Sequence, residues 1–211
     1  MKTIETLKNL RLFALLFTAI AVVSCSDDDE APEEENLPEV FTNVTLIFTP
    51  EGGGAAITAE AEDPDGTGAA GLELVDPAIT LATGTTYTLT FNVENRLDPN
   101  ADLNAEIKDE DDEHQIFFAF TDGAFSNPTG DGNIGAANAA EPINYNDEDS
   151  EAQDGSGNPV GLSTTWTTST TPLAGGSFTA NLQHQPGVKT ATSTSENGDT
   201  DFDLTFTLNI Q

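Results

Sequence analysis

Two stretches of the chain alternate apolar and polar residues one by one, and this pattern constrains the fold more than any other feature. Residues 85–95 and 201–211 both carry it. Their apolar positions are Tyr87, Leu89, Phe91 and Val93 in the first stretch, and Phe202, Leu204, Phe206, Leu208 and Ile210 in the second. Successive side chains of a strand point to opposite faces of its sheet. Both stretches are therefore predicted to be strands that bury one face against a core.

Further strands are predicted between turns that are rich in glycine, asparagine and proline. They span residues 40–49, 55–62, 72–81 (in short pieces), 115–120, 143–146, 162–168 and 177–184. The first two are predicted to form a hairpin, and residues 122–140 a long loop. Residues 115–120 are apolar on both faces, which is typical of a central strand.

One segment departs from this period. Leu103 and Ile107 lie four residues apart, which predicts a short helix over residues 102–111. Eight or nine short strands with at most one short helix predict an all-β fold, an antiparallel two-sheet sandwich of immunoglobulin-like or related type.

The first 24 residues have the layout of an export signal. Lys2, Lys8 and Arg11 precede an apolar segment, residues 12–23, which small residues follow. As a helix this segment would be about 18 Å long, against about 30 Å for the hydrocarbon core of a membrane. It is too short to remain as a span, so we expect residues 1–24 to be removed.

The end of this signal, Val22-Val23-Ser24-Cys25, closely resembles the bacterial lipobox. In that motif the cysteine is acylated and becomes the mature N-terminus, so the resemblance implies lipidation of Cys25 and a membrane anchor. The alternative is an ordinary secretory signal with a chance cysteine. Cys25 is the only cysteine, so the exported domain has no disulfide and must be stabilised by burial.

An acidic run follows the cysteine: Ser26, Asp27, Asp28, Asp29 and Glu30. It resembles the tag that directs lipoproteins of the Bacteroidota to the outer face of the outer membrane. The alternatives are a solvated spacer and a location on the periplasmic face. The predicted organisation is a signal peptide at 1–24, a lipidated acidic tether at 25–38 and a β-sandwich domain at 39–211.

The net charge limits the partners of the chain. It is −31 for the whole sequence, and removal of the signal, which carries +2, takes it to −33. Such a surface repels phosphate backbones and anionic headgroups, which argues against nucleic acid and against membrane contact beyond the lipid. Cations are the natural counter-charge, although the charge can also serve solubility alone.

One acidic loop has part of the spacing of a calcium site. Asp147, Asp149, Glu151 and Asp154 supply the hard oxygens that calcium prefers. However, Ala152 stands where the loop needs glycine and Asn158 where it needs glutamate. The pattern therefore favours a solvated loop, with a calcium site as the alternative.

The histidines offer a second metal hypothesis. His114 and His184 are the only two, each at the edge of a predicted strand, and together with Glu110 or Glu113 they would suit a transition metal. Histidines so far apart in sequence more often cap strands. Trp166 alternates with Leu162 and Thr164, which favours a core position over a sugar-binding platform.

Several stretches resemble a group of small Bacteroidota outer-membrane lipoproteins often labelled type 1 periplasmic binding fold superfamily proteins. They are residues 44–54, 63–66, 81–89, 110–118, 145–147, 157–162, 182–186 and 199–211. The label implies an α/β fold, whereas the period of two favours the all-β sandwich. The resemblance implies an outer-membrane lipoprotein that works beside a nutrient-uptake receptor, and it supplies no catalytic residues.

No nucleophile elbow, phosphate loop or dinucleotide fingerprint occurs in the sequence, so we expect no enzymatic activity. Two classes of function remain. The first is a surface-anchored accessory module that binds a ligand or a receptor. The second is a structural or adhesive domain whose acidic loops bind calcium or are only solvated.

Overall fold

Two β-sheets pack face to face, so the predicted all-β sandwich is confirmed. The computed structural model describes residues 39–66, 71–136, 140–147 and 158–211. The predicted signal, Cys25 and the acidic tag at 26–30 lie outside the described residues. The sheets belong to a compact unit that extends over Glu39–Gln211.

Eleven strands and one helix make up the described part of this unit. In chain order the strands are β1 (Asn43–Pro50), β2 (Ile57–Glu62), β3 (Glu73–Asp76), β4 (Ala78–Leu81), β5 (Thr86–Glu94), β6 (His114–Phe120), β7 (Phe125–Asn127), β8 (Asn144–Tyr145), β9 (Ser163–Thr168), β10 (Leu173–His184) and β11 (Asp199–Ile210). Helix α1 (Leu103–Asp109) lies between β5 and β6.

The first sheet has the strand order β3-β2-β1-β5-β9-β7, with β8 also paired to β9. The second has the order β4-β11-β10-β6. The predicted hairpin is confirmed, since β1 and β2 pair antiparallel with Phe48 opposite Ile57. The pairings between described strands are antiparallel except that of β4 with β11, which is parallel.

The core lies between the sheets and is dominated by aromatic rings. Trp166 is fully buried against Phe118 and Phe178, with ring centroids 5.3 and 5.1 Å from its own. Its indole nitrogen donates a hydrogen bond of 2.7 Å to the hydroxyl of Thr164, which satisfies the polar atom of this side chain. Burial of each large apolar side chain contributes roughly 1.5–3 kcal/mol. The core position expected for Trp166 is therefore confirmed.

The prediction that residues 115–120 form a central strand was wrong. Strand β6 is buried on both faces, yet it ends the strand order of its sheet. A loop covers its free edge: Phe120 N donates to Asp131 O at 2.9 Å, and Phe118 N donates to the side chain of Asn133 at 2.8 Å. The loop approaches closely because Gly132 has no side chain, and a Cβ there would lie 2.1 Å from the Phe118 carbonyl oxygen. The outer edge of β6 is therefore buried by this loop and not by a second neighbouring strand.

Other elements differ from the sequence prediction in extent. Strand β7 falls within the segment predicted to be loop. Residues 72–81 do form short pieces, as predicted, with Pro77 between β3 and β4. The helix begins after Asp102, whose carboxylate accepts a hydrogen bond of 3.1 Å from Ala105 N, and it ends at Asp109, the first of five consecutive acidic residues, 109–113. Within the described ranges, no helix has both the length and the apolar character that a membrane crossing requires.

Candidate functional site

The two histidines meet at one end of the second sheet. His114 is the first residue of β6 and His184 the last residue of β10, and the pairing of these strands places them directly opposite each other. Their rings stack with centroids 4.4 Å apart and planes 4° from parallel. The flat contact fixes the orientation of the His114 ring.

Two carboxylates from other segments approach the Nε2 atom of His114. Glu39, which precedes β1, places Oε1 at 3.5 Å, and Asp201 of β11 places Oδ2 at 3.8 Å. The pairing of β10 with β11 shifts register at this point, between Leu182 and Gln183, so Asp201 is an extra residue in the ladder. Such a bulge redirects a side chain that would otherwise follow the regular alternation. The shift accounts for how Asp201 reaches His114.

The other nitrogen of His114 is held by the backbone. Its Nδ1 lies 3.3 Å from the carbonyl oxygen of Glu110 and 3.8 Å from the carboxylate of the same residue. A carbonyl oxygen only accepts hydrogen bonds, so Nδ1 must carry the proton in this contact. In the neutral ring, Nε2 then presents its lone pair to Glu39 and Asp201.

The surroundings of the histidine pair are ordered by further contacts. The Nε2 atom of His184 lies 3.1 Å from the carboxylate of Glu113. Lys189 donates from Nζ to the carbonyl oxygens of Asp111 and His114, the latter at 2.7 Å. It therefore supplies positive charge beside the acidic residues 109–113 at the end of the helix.

Burial makes this group of side chains electrostatically unusual. The side chain of His114 is 0% exposed, that of Glu39 is 7% exposed and that of Asp201 is 15% exposed. Both carboxylate oxygens of Glu39, Nε2 of His114 and Oδ2 of Asp201 have no hydrogen-bond partner among the described residues. We call Glu39, His114 and Asp201 the buried triad.

The charges of the triad perturb one another. Burial of Asp201, together with the nearby Glu39, raises its pKa to about 6. Burial opposes charge on His114, but Glu39 and Asp201 outweigh this effect and raise the pKa of the imidazole. Both directions mean that the triad holds a proton more readily than the free side chains do.

A cleft of about 380 Å³ opens beside the triad, and Glu39 and Asp201 form part of its wall. Phe202 and Asp203 also line it; they point to opposite faces of β11, so the cleft lies along the edge of that strand. Strand β4 pairs only with Thr207–Ile210 of β11, and no other described strand occupies the rest of that edge.

Asp147, the one described residue among the four predicted calcium ligands, is hydrogen-bonded to the backbone. Asp147 accepts hydrogen bonds from the backbone nitrogens of Gly161 at 2.9 Å and Ser163 at 3.0 Å, one to each carboxylate oxygen. Its position fixes the start of β9. Asp149, Glu151 and Asp154 lie outside the described residues, so the calcium site stays a prediction.

The sequence pattern indicates the two histidines with Glu110 and Glu113, and the structure brings all four together. It gives no indication of Glu39 or Asp201. Glu39 lies beside the predicted tether, where one more acidic residue carries no signal. Asp201 occupies a polar position of a regular alternation and would be expected to face solvent, and only the bulge in the ladder turns it inward.

No protein-family model, curated protein or solved structure matches this chain. Its function is therefore inferred from the sequence signals and from the buried triad and its cleft.

Proposed function

We propose that this protein is a lipid-anchored lipoprotein of the outer membrane, exposed at the cell surface, whose β-sandwich binds a ligand or a receptor and catalyses no reaction. Cys25 is the anchor and residues 26–30 are the surface-export tag. A nutrient receptor of the outer membrane is the class of partner that the family resemblance implies. The absence of catalytic motifs from the sequence supports a binding role.

The observation that carries the binding role is the set of polar atoms without partners in the buried triad, two of whose residues line the cleft. A buried polar atom that lacks a hydrogen bond costs about 1–3 kcal/mol. A domain with a purely structural role gains nothing from keeping several such atoms at one place. A binding domain gains specificity from them, because the bound molecule or ion supplies the missing contacts.

The other candidate is a structural or adhesive sandwich whose acidic loops bind calcium or are only solvated. The hydrogen bonds of Asp147 favour the structural form of this candidate, since they hold the carboxylate against the backbone at the start of β9. The two candidates differ in whether contacts in the native membrane concentrate at the cleft.

Site-directed photo-crosslinking in intact outer membranes separates them. A photoreactive residue replaces Asp203, an exposed position in the cleft wall, and Thr207 provides the matched control on the same strand and the same face outside the cleft. A binding module gives a discrete adduct from position 203 and none from position 207. No adduct, or equal adducts from both positions, contradicts the proposal.

A further inference from the structure

We propose that Glu39, His114 and Asp201 bind a divalent transition-metal ion, with zinc the best match to this set of ligands. The inference rests on the proposed binding cleft, because two of the three residues line it. It names what the triad itself holds.

The distances favour an ion over a direct contact. A charged nitrogen-to-carboxylate hydrogen bond measures about 2.7–2.9 Å. The separations of 3.5 and 3.8 Å between Nε2 of His114 and the two carboxylates are too long for such a bond. A tetrahedral zinc with bonds of about 2.0–2.1 Å holds its ligand atoms roughly 3.3–3.4 Å apart. The observed spacing is close to that of atoms that share an ion, and the ligand atoms of all three residues lie within 4.8 Å of one another.

The charges lead to the same conclusion. Two buried carboxylates repel each other unless a cation lies between them. A proton on His114 supplies one positive charge and leaves the triad with a net charge of −1. A divalent ion beside the neutral ring balances both carboxylates, which is the arrangement that burial favours.

The ring of His114 is already set for a metal. Ligating histidines commonly donate the other ring N–H to a backbone carbonyl, which fixes the tautomer and aims the lone pair at the ion. The contact of Nδ1 with the Glu110 carbonyl at 3.3 Å provides this second interaction. The stacked ring of His184 holds the plane of the imidazole in place.

A second grouping, Glu110 with both histidines, fits a metal less well. Because the two rings are parallel and stacked, their nitrogen lone pairs run side by side instead of converging on one point. The Nδ1 atom of His114 is also engaged by the carbonyl of Glu110. These contacts assign His184 and Glu110 the role of positioning residues around the triad.

The ligand types select the metal. One imidazole nitrogen with two carboxylates suits zinc and neighbouring first-row divalent ions. Calcium takes six to eight oxygens and does not favour imidazole. Since Glu39 and Asp201 also line the cleft, the proposed ion site lies next to it.

Isothermal titration with zinc tests the inference. The protein is the full mature chain with Cys25→Ser, so that no thiol competes, after removal of metal with EDTA. We expect one zinc per chain. Loss of an outer-shell partner alone weakens metal binding about 10–100-fold, so we expect Glu39→Gln and Asp201→Asn to weaken it by at least about 100-fold. Asp76→Asn, which removes an exposed carboxylate on β3 outside the cleft, should leave the affinity unchanged.

Three outcomes overturn the metal site: no zinc binding by the wild-type chain, equal affinity in all three variants, or tighter binding of calcium than of zinc. Circular dichroism of each variant shows that it is folded before titration. If zinc fails to bind while position 203 still crosslinks in membranes, the metal inference is wrong and the binding function stands. If crosslinking fails and zinc binds as expected, the metal site stands and the proposed binding function is wrong.

Discussion

Removal of one negative charge from the triad should stabilise the metal-free protein. In Asp201→Asn the side chain keeps its shape, and the amide can donate to the unpartnered carboxylate of Glu39, only a few ångströms away. The variant should therefore have a larger free energy of unfolding than the wild-type protein when EDTA is present. An increase in stability on loss of a buried group is the reverse of what most substitutions do.

The size of the effect follows from the pKa of Asp201. Burial and Glu39 raise it from 3.8 to about 6. Because one pKa unit corresponds to about 1.4 kcal/mol, the charged carboxylate costs the folded protein on the order of 3 kcal/mol at pH 8. For a domain of this size that is a rise in Tm of roughly 6–12 °C in the variant.

The sign of this stability difference can be checked by its dependence on pH. The folded pKa of Asp201 lies above its unfolded value, so the folded state favours the protonated acid. The wild-type protein has this stability in full below the unfolded value, near pH 4, and loses it as the pH rises through about 6. The advantage of Asp201→Asn should thus be small at pH 4 and complete at pH 8.

Urea unfolding with EDTA, followed by tryptophan fluorescence from the buried Trp166, measures the difference. Asp76→Asn, an exposed carboxylate on β3, is the control for the change in net charge and should shift the midpoint little. Zinc in place of EDTA should narrow or remove this difference, because the wild-type protein gains more binding energy than the variant. A variant that is less stable than wild type at pH 8 in EDTA would refute the electrostatic account of the triad.

Four further predictions concern the anchor, the tag and the loops. The Cys25→Ala variant should be absent from the outer-membrane fraction, and its mass should lack the acyl groups. The reason is that several acyl chains, at about 0.8 kcal/mol per buried CH₂, provide the anchor. A variant that remained in the outer-membrane fraction would argue against lipidation. Replacement of residues 27–29 by alanine should protect the protein from protease added to intact cells, whereas equal cleavage would remove the export role. Asp147→Asn should lower the free energy of unfolding by about 1–2 kcal/mol, since one backbone N–H loses its acceptor. The loss should be equal in calcium and in EDTA, and a loss seen only in calcium would instead assign Asp147 to a calcium site. Gly198→Ala should destabilise the end of β10, because its Cβ would lie 2.1 Å from the His184 carbonyl oxygen; an unchanged Tm would contradict this.

Local pattern was enough to predict most of the strands. The alternation at Tyr87–Val93 and Phe202–Ile210 reflects burial of one face, and these positions are buried in the sandwich. Pattern failed where burial has a cause outside the strand itself. Strand β6 is apolar on both faces because a loop covers its edge, and sequence alone does not distinguish this cover from a neighbouring strand.

Only half of the candidate site could be predicted from the sequence. Histidines are rare in this chain, so His114 and His184 were conspicuous, and their pairing follows from the register of β10 with β6. Glu39 and Asp201 were hidden among 37 acidic residues. These two residues differ from the other acidic residues because their carboxylates are buried without hydrogen-bond partners. This burial depends on the bulge at Asp201 and on the position of Glu39 in the segment before β1. Neither feature leaves a pattern in the sequence.

The most direct measurement is anomalous diffraction at the zinc absorption edge from crystals of the mature chain grown with zinc. We expect a peak about 2.0–2.2 Å from Nε2 of His114, with Glu39 and Asp201 as the other protein ligands. A map without a peak at the triad, in which His114 instead donates a direct hydrogen bond to Glu39 or Asp201, would contradict this expectation.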